Sequence, residues 1–184
     1  MTLVSLLILC LGLWDATISV SAGPASPPPD PILWIDPARP RKGVGDTFDL
    51  YVGIDNAVDF GAYQCDIVFA PSIVQVISVQ YGDFPGSTGR TVVPVGPNID
   101  NDAGRVSFGA STAGSQEGPS GSGGVLAIVT LEARAVGSTW LKFEDVQVAD
   151  TQGRTQEATT EDGFVTVFSW IRVYLPMIMK GFSP

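Results

Sequence analysis

The sequence predicts an all-β domain made of two packed antiparallel sheets. Three observations carry that expectation. Apolar residues recur at period two in several short stretches, and no stretch repeats them at the helical period. Between the stretches stand Gly and Pro, 21 and 14 of the 184 residues, with Asp and Asn beside them. Strands joined in this way bury their apolar faces by packing one sheet on another.

The first 31 residues precede that pattern. Leu3 to Trp14 is an apolar run, and Val20-Ser21-Ala22 follows the small-x-small rule, so residues 1–22 are expected to be a signal peptide cleaved after Ala22. The run is shorter than the roughly 18 apolar residues of a spanning helix, which argues against a membrane anchor. Leu9 stands where a lipoprotein box places a small residue before Cys10. The expectation is an exported protein that is not integral to the membrane once the signal is removed. Gly23 to Pro31 reads as an extended, stiff, Pro-rich linker.

The folded domain is expected at 32–168. Ile32 to Asp36 reads as the first strand and Arg39 to Gly45 as a basic turn. Asp46 to Asp55 alternates cleanly, with Phe48, Leu50, Val52 and Ile54 inward and Thr47, Asp49, Tyr51 and Asp55 outward. In the next strand Tyr63, Cys65, Ile67 and Phe69 share the inward face, and Ala62, Gln64, Asp66 and Val68 share the other. Pro71 ends it, because proline has no N–H for a continuing ladder. Val74 to Val79 is a further strand, followed by a long loop from Tyr81 to about Val92.

Val92 to Val95 comes next, then a turn-rich stretch to Arg105. Val106, Phe108 and Ala110 then alternate with Ser107, Gly109 and Ser111. Ala113 to Gly124 is Gly/Ser-rich and expected to be mobile. Val125 to Ala135 is apolar on both faces as far as Val129, which suits a central strand, with Glu132 and Arg134 facing solvent. Thr139 to Val148 and Gly163 to Val167 complete a set of eight or nine.

Composition narrows the function. A net charge of −9 disfavours nucleic acid, whose phosphates it would repel. After cleavage Cys65 is the one cysteine left, and its inward position reads as a buried structural thiol. With no His and no Gly-x-Ser-x-Gly elbow, the usual nucleophile and base sets are missing. Carboxylates alone can run glycoside hydrolysis, but Asp66, Asp83, Glu117 and Glu132 sit on separate elements. The expectation is a protein that is not an enzyme and needs no cofactor. Asp100-Asn101-Asp102 resembles part of a calcium loop, but counted from Asn98, Ala103 stands at the sixth position and Gly109 at the twelfth, so a turn is the better reading.

Two aromatic side chains point outward by alternation, Trp140 beside Lys142 and Glu144, and Tyr51. Exposed rings of this kind can stack on sugars, which makes Trp140 and Tyr51 candidate carbohydrate contacts.

Several motifs, in order, resemble a known family. Gly45-Asp46-Thr47 is followed by Asn56 and Gly61, then Phe69-Ala70-Pro71-Ser72-Ile73-Val74 and Ala103-Gly104-Arg105-Val106-Ser107-Phe108. Gly121-Ser122-Gly123-Gly124-Val125-Leu126-Ala127 and Asp162-Gly163-Phe164-Val165-Thr166-Val167 close the series. Together they resemble a bacterial cohesin domain over about residues 32–168. The resemblance implies a nine-stranded jelly-roll β-sandwich, secreted or held at the cell surface, that docks dockerin-bearing proteins such as polysaccharide-degrading enzymes. Carried over position by position, the docking face would present Ala62, Gln64, Asp66, Ser107, Gly109 and Ser111. Ala62 and Gln64 stand where dockerin binders often carry Asn and Asp, and Gly109 where they often carry a larger apolar residue. The fold is also related to cellulose-binding modules, so carbohydrate binding or cell-surface adhesion is the alternative function.

The tail, 169–184, has two readings. It resembles the Tyr-Leu-Pro tails of exported bacterial proteins, which implies sorting or surface attachment. Alternatively it continues as an edge strand as far as Tyr174.

Overall fold

The computed structural model describes residues 29–169. The expected signal peptide, most of the Pro-rich linker and the tail beyond Ser169 lie outside the described residues.

Among the described residues, twelve strands form two sheets. In chain order they are β1 (Ile32–Asp36), β2 (Arg41–Gly43), β3 (Thr47–Asp55), β4 (Phe60–Val68), β5 (Val74–Tyr81), β6 (Thr91–Asp100), β7 (Arg105–Ala113), β8 (Gly124–Ala133), β9 (Gly137–Asp150), β10 (Thr155–Gln156), β11 (Thr159–Glu161) and β12 (Gly163–Phe168). The strand count therefore differs from nine. Three of the twelve, β2, β10 and β11, are only two or three residues long and too short to carry a period-two signal. Arg41–Gly43 lies within the expected basic turn and pairs parallel with β12.

One sheet runs β11-β1-β3-β8-β5, and the other runs β2-β12-β9-β4-β7-β6 with β10 beside β9. Their inner faces carry the alternating apolar sets. Phe48, Leu50, Val52 and Ile54 meet Tyr63, Cys65, Ile67 and Phe69, and all eight are buried. Phe108 packs edge-on to Tyr63 at 6.3 Å between ring centroids. A buried hydrogen bond ties the layers together, the Tyr63 hydroxyl donating to the Leu126 carbonyl at 3.0 Å. Burial pushes the Tyr63 hydroxyl and the Cys65 thiol far above their ordinary ionisation ranges, so both stay neutral. The Cys65 side chain is a packing element.

Two regions depart from the sequence reading. The strand at Val92 runs on to Asp100, through Gly96-Pro97, where its register against β7 shifts. An edge position allows this, because there a missing N–H and a bulge break no second ladder. The turn after it is built by the Asp100 carboxylate, which accepts the Asp102 and Ala103 N–H groups, and by Asn101, which bonds both the N–H and the carbonyl of Val76.

The stretch from Ala113 to Gly124, expected to be mobile, is instead pinned at many points. Arg90, 7% exposed, donates to the Gly114 and Gln116 carbonyls. Asp59 accepts from the Gly118 N–H at 2.7 Å, Ser120 and Ser122 accept the amides of Asp59 and Asn56, and Asp55 accepts the Gly123 N–H. Small residues make the backbone available as a partner, and composition alone hid that.

Candidate functional site

The outer face of the second sheet is open at its centre. Strand register assembles it as three rows running across β6, β7, β4 and β9. The first row is Val93, Ser111, Ala62 and Ala149; the second is Val95, Gly109, Gln64 and Gln147; the third is Asn98, Ser107, Asp66 and Glu144. The six residues proposed from the sequence thus form one contiguous block on neighbouring strands, where lateral spacing is about 4.8 Å. Thr155 of β10 extends the first row beyond Ala149.

The block changes character along the strands. At one end Ala62, Ser111 and Ala149 are small, and with Val95, Gln64 and Gln147 they line a shallow groove of about 190 Å³. Val93 and Val95 stand 48% and 50% exposed on the edge strand and wall this end with apolar surface. Gly109 is fixed by the backbone: a Cβ there would lie 2.4 Å from the Tyr63 carbonyl oxygen and 3.0 Å from the Gln64 Cα. No larger side chain fits at that point without moving β4.

The other end is charged. Asp66 points out of the sheet yet is only 8% exposed, because Arg105 lies against it in an ion pair. The same guanidinium reaches Glu144 at 2.5 Å and Asp145 at 3.6 Å. The hydrogen bond to Asp66, reinforced by Glu144, holds the Arg105 charge even more firmly than usual. Gln64, in the middle row, is exposed and keeps its amide at the surface. The face therefore offers a partner an apolar groove, a central amide and a charge cluster with an excess of carboxylates.

The two aromatic candidates are not brought together. Trp140 lies on the outer face of the second sheet, 49% exposed, with its ring 4.9 Å from that of Phe164 in an edge-on contact. Tyr51, 41% exposed, lies on the outer face of the opposite sheet.

Sequence reasoning missed Val93, Val95, Arg105, Gln147 and Ala149. In Val92-Val93-Pro94-Val95 an unbroken apolar run names no face, and Gln147 and Ala149 follow a register shift in β9 near Asp145, whose φ is 49°. The signal for Arg105 was present in its place at the start of β7, diagonal to Asp66, once the register is known.

Among the described residues no group of three or more Cys, Asp or Glu could hold a metal ion, and no helix is long and apolar enough to cross a membrane.

Fold and face together define a class: a β-sandwich module whose distinctive surface is an open sheet rather than an enclosed cleft. The family model for the cohesin domain matches residues 36–167, and the chain belongs to the cohesin domain family. Solved structures share the fold. A cohesin in a type I cohesin–dockerin complex from Clostridium thermocellum superposes with a TM-score of 0.62 at 16% identity, covering 76% of this chain and 100% of that one. A non-cellulosomal cohesin from the hyperthermophilic archaeon Archaeoglobus fulgidus gives 0.59 at 17% identity, covering 77% and 93%. The seventh ScaB type I cohesin from Pseudobacteroides cellulosolvens gives 0.58 at 18% identity, covering 79% and 97%. No curated protein sequence matches the chain significantly.

Proposed function

We propose that the chain is a non-catalytic, extracellular module that docks a dockerin-bearing protein on the outer face of β4, β7 and β9. The observation that carries this reading is the contiguity of the face: six residues chosen by family position fall on adjacent strands, and three of them, Ala62, Gln64 and Ser111, line an open groove. The fold-level match to a cohesin bound to a dockerin supports the same reading. In this arrangement the signal peptide, 1–22, directs export and is removed, the linker, 23–31, then leads into the domain as an extended arm, and the tail, 169–184, serves sorting or attachment.

Gln64 is the residue to perturb, since it is exposed and central while Asp66 is engaged by Arg105. Purified dockerins from the source organism, each fused to an inert carrier, would be titrated against the full chain. Gln64→Arg is expected to weaken binding at least about tenfold, as a charge set into a desolvated interface centre does, with an unchanged melting temperature. Failure of the unmutated chain to bind any of those dockerins would sink the proposal.

A further inference from the structure

The opposite sheet carries a second open hollow, of about 550 Å³, which none of the docking residues touches. Its shape follows from register. Tyr51 on β3 lies across from Ile128 on β8, and Ile128 lies across from Gln80 on β5, so ring, aliphatic floor and amide form one row over three strands. Val125 continues the floor, and the loop after β5 raises a polar rim with Asp83 and Ser87. The Ser87 hydroxyl donates to the Phe84 carbonyl at 2.8 Å, which leaves its oxygen lone pairs to accept.

A second ring flanks the row. A Cβ on Gly53 would fall 2.1 Å from the Trp34 ring, so the indole of Trp34 lies over Gly53, two residues along β3 from Tyr51. Outer-face aromatic surface therefore continues past the hollow on the β1 side. Tyr51 itself is 41% exposed, and Gln80 and Asp83 are exposed.

The chemistry of these groups selects a ligand class. An exposed ring beside an aliphatic floor fits the C–H face of a pyranose, and an amide, a carboxylate and a hydroxyl at the rim fit its hydroxyl groups. No Lys or Arg lines the hollow, and the chain carries a net charge of −9, so an anionic ligand is disfavoured. A purely apolar ligand would strip water from Gln80 and Asp83 without replacing the hydrogen bonds. We propose that the hollow is a binding site for a neutral oligosaccharide, with Tyr51 as the stacking ring and Gln80 and Asp83 as the hydrogen-bonding rim. It sits on the sheet opposite the docking face, so both surfaces can be occupied at once, and it does not rest on the dockerin reading.

The full chain would be titrated calorimetrically with cellohexaose, xylohexaose, mannohexaose and chitohexaose. At least one is expected to bind, with Tyr51→Ala weakening it about tenfold or more and Tyr51→Phe, which keeps the ring, staying within about threefold. Trp140→Ala, which removes the exposed ring of the other sheet, is expected to leave affinity unchanged. Tyr51 is a surface position, so its variants keep the fold; a thermal melt of each checks this. Absence of binding by all four sugars at millimolar concentration overturns the proposal. So does a Tyr51→Ala variant that binds like the parent, or loss of binding in Trp140→Ala.

Discussion

Replacing Tyr63 by Phe isolates the hydrogen bond that crosses the sandwich. The hydroxyl is buried with a ring that is 3% exposed, and it donates to the Leu126 carbonyl at 3.0 Å. Removing it would be severe if that carbonyl were left alone, since an orphaned buried acceptor costs about 1–3 kcal/mol on top of the lost bond. Leu126 is not left alone. Its carbonyl also accepts the Gly82 N–H at 2.8 Å. The loss is therefore the net value of one neutral hydrogen bond, about 1 kcal/mol. For a domain of this size that is a fall in melting temperature of about 4 °C. Urea unfolding of Tyr63→Phe beside the parent measures it, with an unchanged slope showing that only stability moved. A loss above about 3 kcal/mol would refute the claim that Gly82 keeps the carbonyl satisfied. No loss would refute the bond itself. Tyr63→Ala, which also removes ring contacts with Phe60 and Phe108, is the contrasting case at about 3–5 kcal/mol.

Other perturbations test other parts of the structure. Gly109→Val should destabilise by about 1–3 kcal/mol in the same urea assay, because its Cβ meets backbone of β4 rather than a movable side chain. Arg90→Met removes charge-assisted bonds to Gly114, Gln116 and Thr112; a loss of about 2 kcal/mol and new protease cleavage between residues 113 and 124 are expected, and resistance equal to the parent would count against the pinning role. Acid should act at the same end. The Thr151 hydroxyl and then the Gly118 N–H hold Asp59 below its ordinary value of 3.8, and the Arg154 N–H does most to hold Asp150 below it. Both carboxylates are depressed in the folded state, so their stabilisation is complete well above 3.8 and fades as pH falls through the lower folded values. The melting temperature should drop below about pH 4, and less steeply in Asp59→Asn.

Where one face is buried and the other wet, the sequence was readable. The alternation in 47–55 and 62–69 places every inward side chain correctly, because a slip of one residue would expose the whole set. The six face residues could be grouped in advance only through family position, since their mutual contact depends on pairings between strands more than 40 residues apart, such as Gln64 with Gly109. Edge strand β6 resisted reading for a different reason. With solvent on one side it tolerates Pro94, Pro97 and a shift of register, and a strand that obeys fewer rules leaves fewer signs. Trp34 shows a third limit. Its place on the outer face follows from alternation with Leu33 and Ile35, but that it covers Gly53 is a matter of which strand lies next door.

The two ends of the described chain leave the sandwich at opposite poles. Asn56, just past the end of β3, bonds the Asp30 carbonyl, whereas Val44, just before its start, donates to the Phe168 carbonyl. The nine residues of β3 separate those points by about 27 Å. Tension applied through residues 29 and 169 therefore pulls β1 backward along β3 and β12 forward along β9. Every hydrogen bond of each pair is loaded sideways and at once, not peeled from one end. The module is built as an in-line link, and its resistance to being drawn apart is a matter of unfolding rate rather than of equilibrium stability.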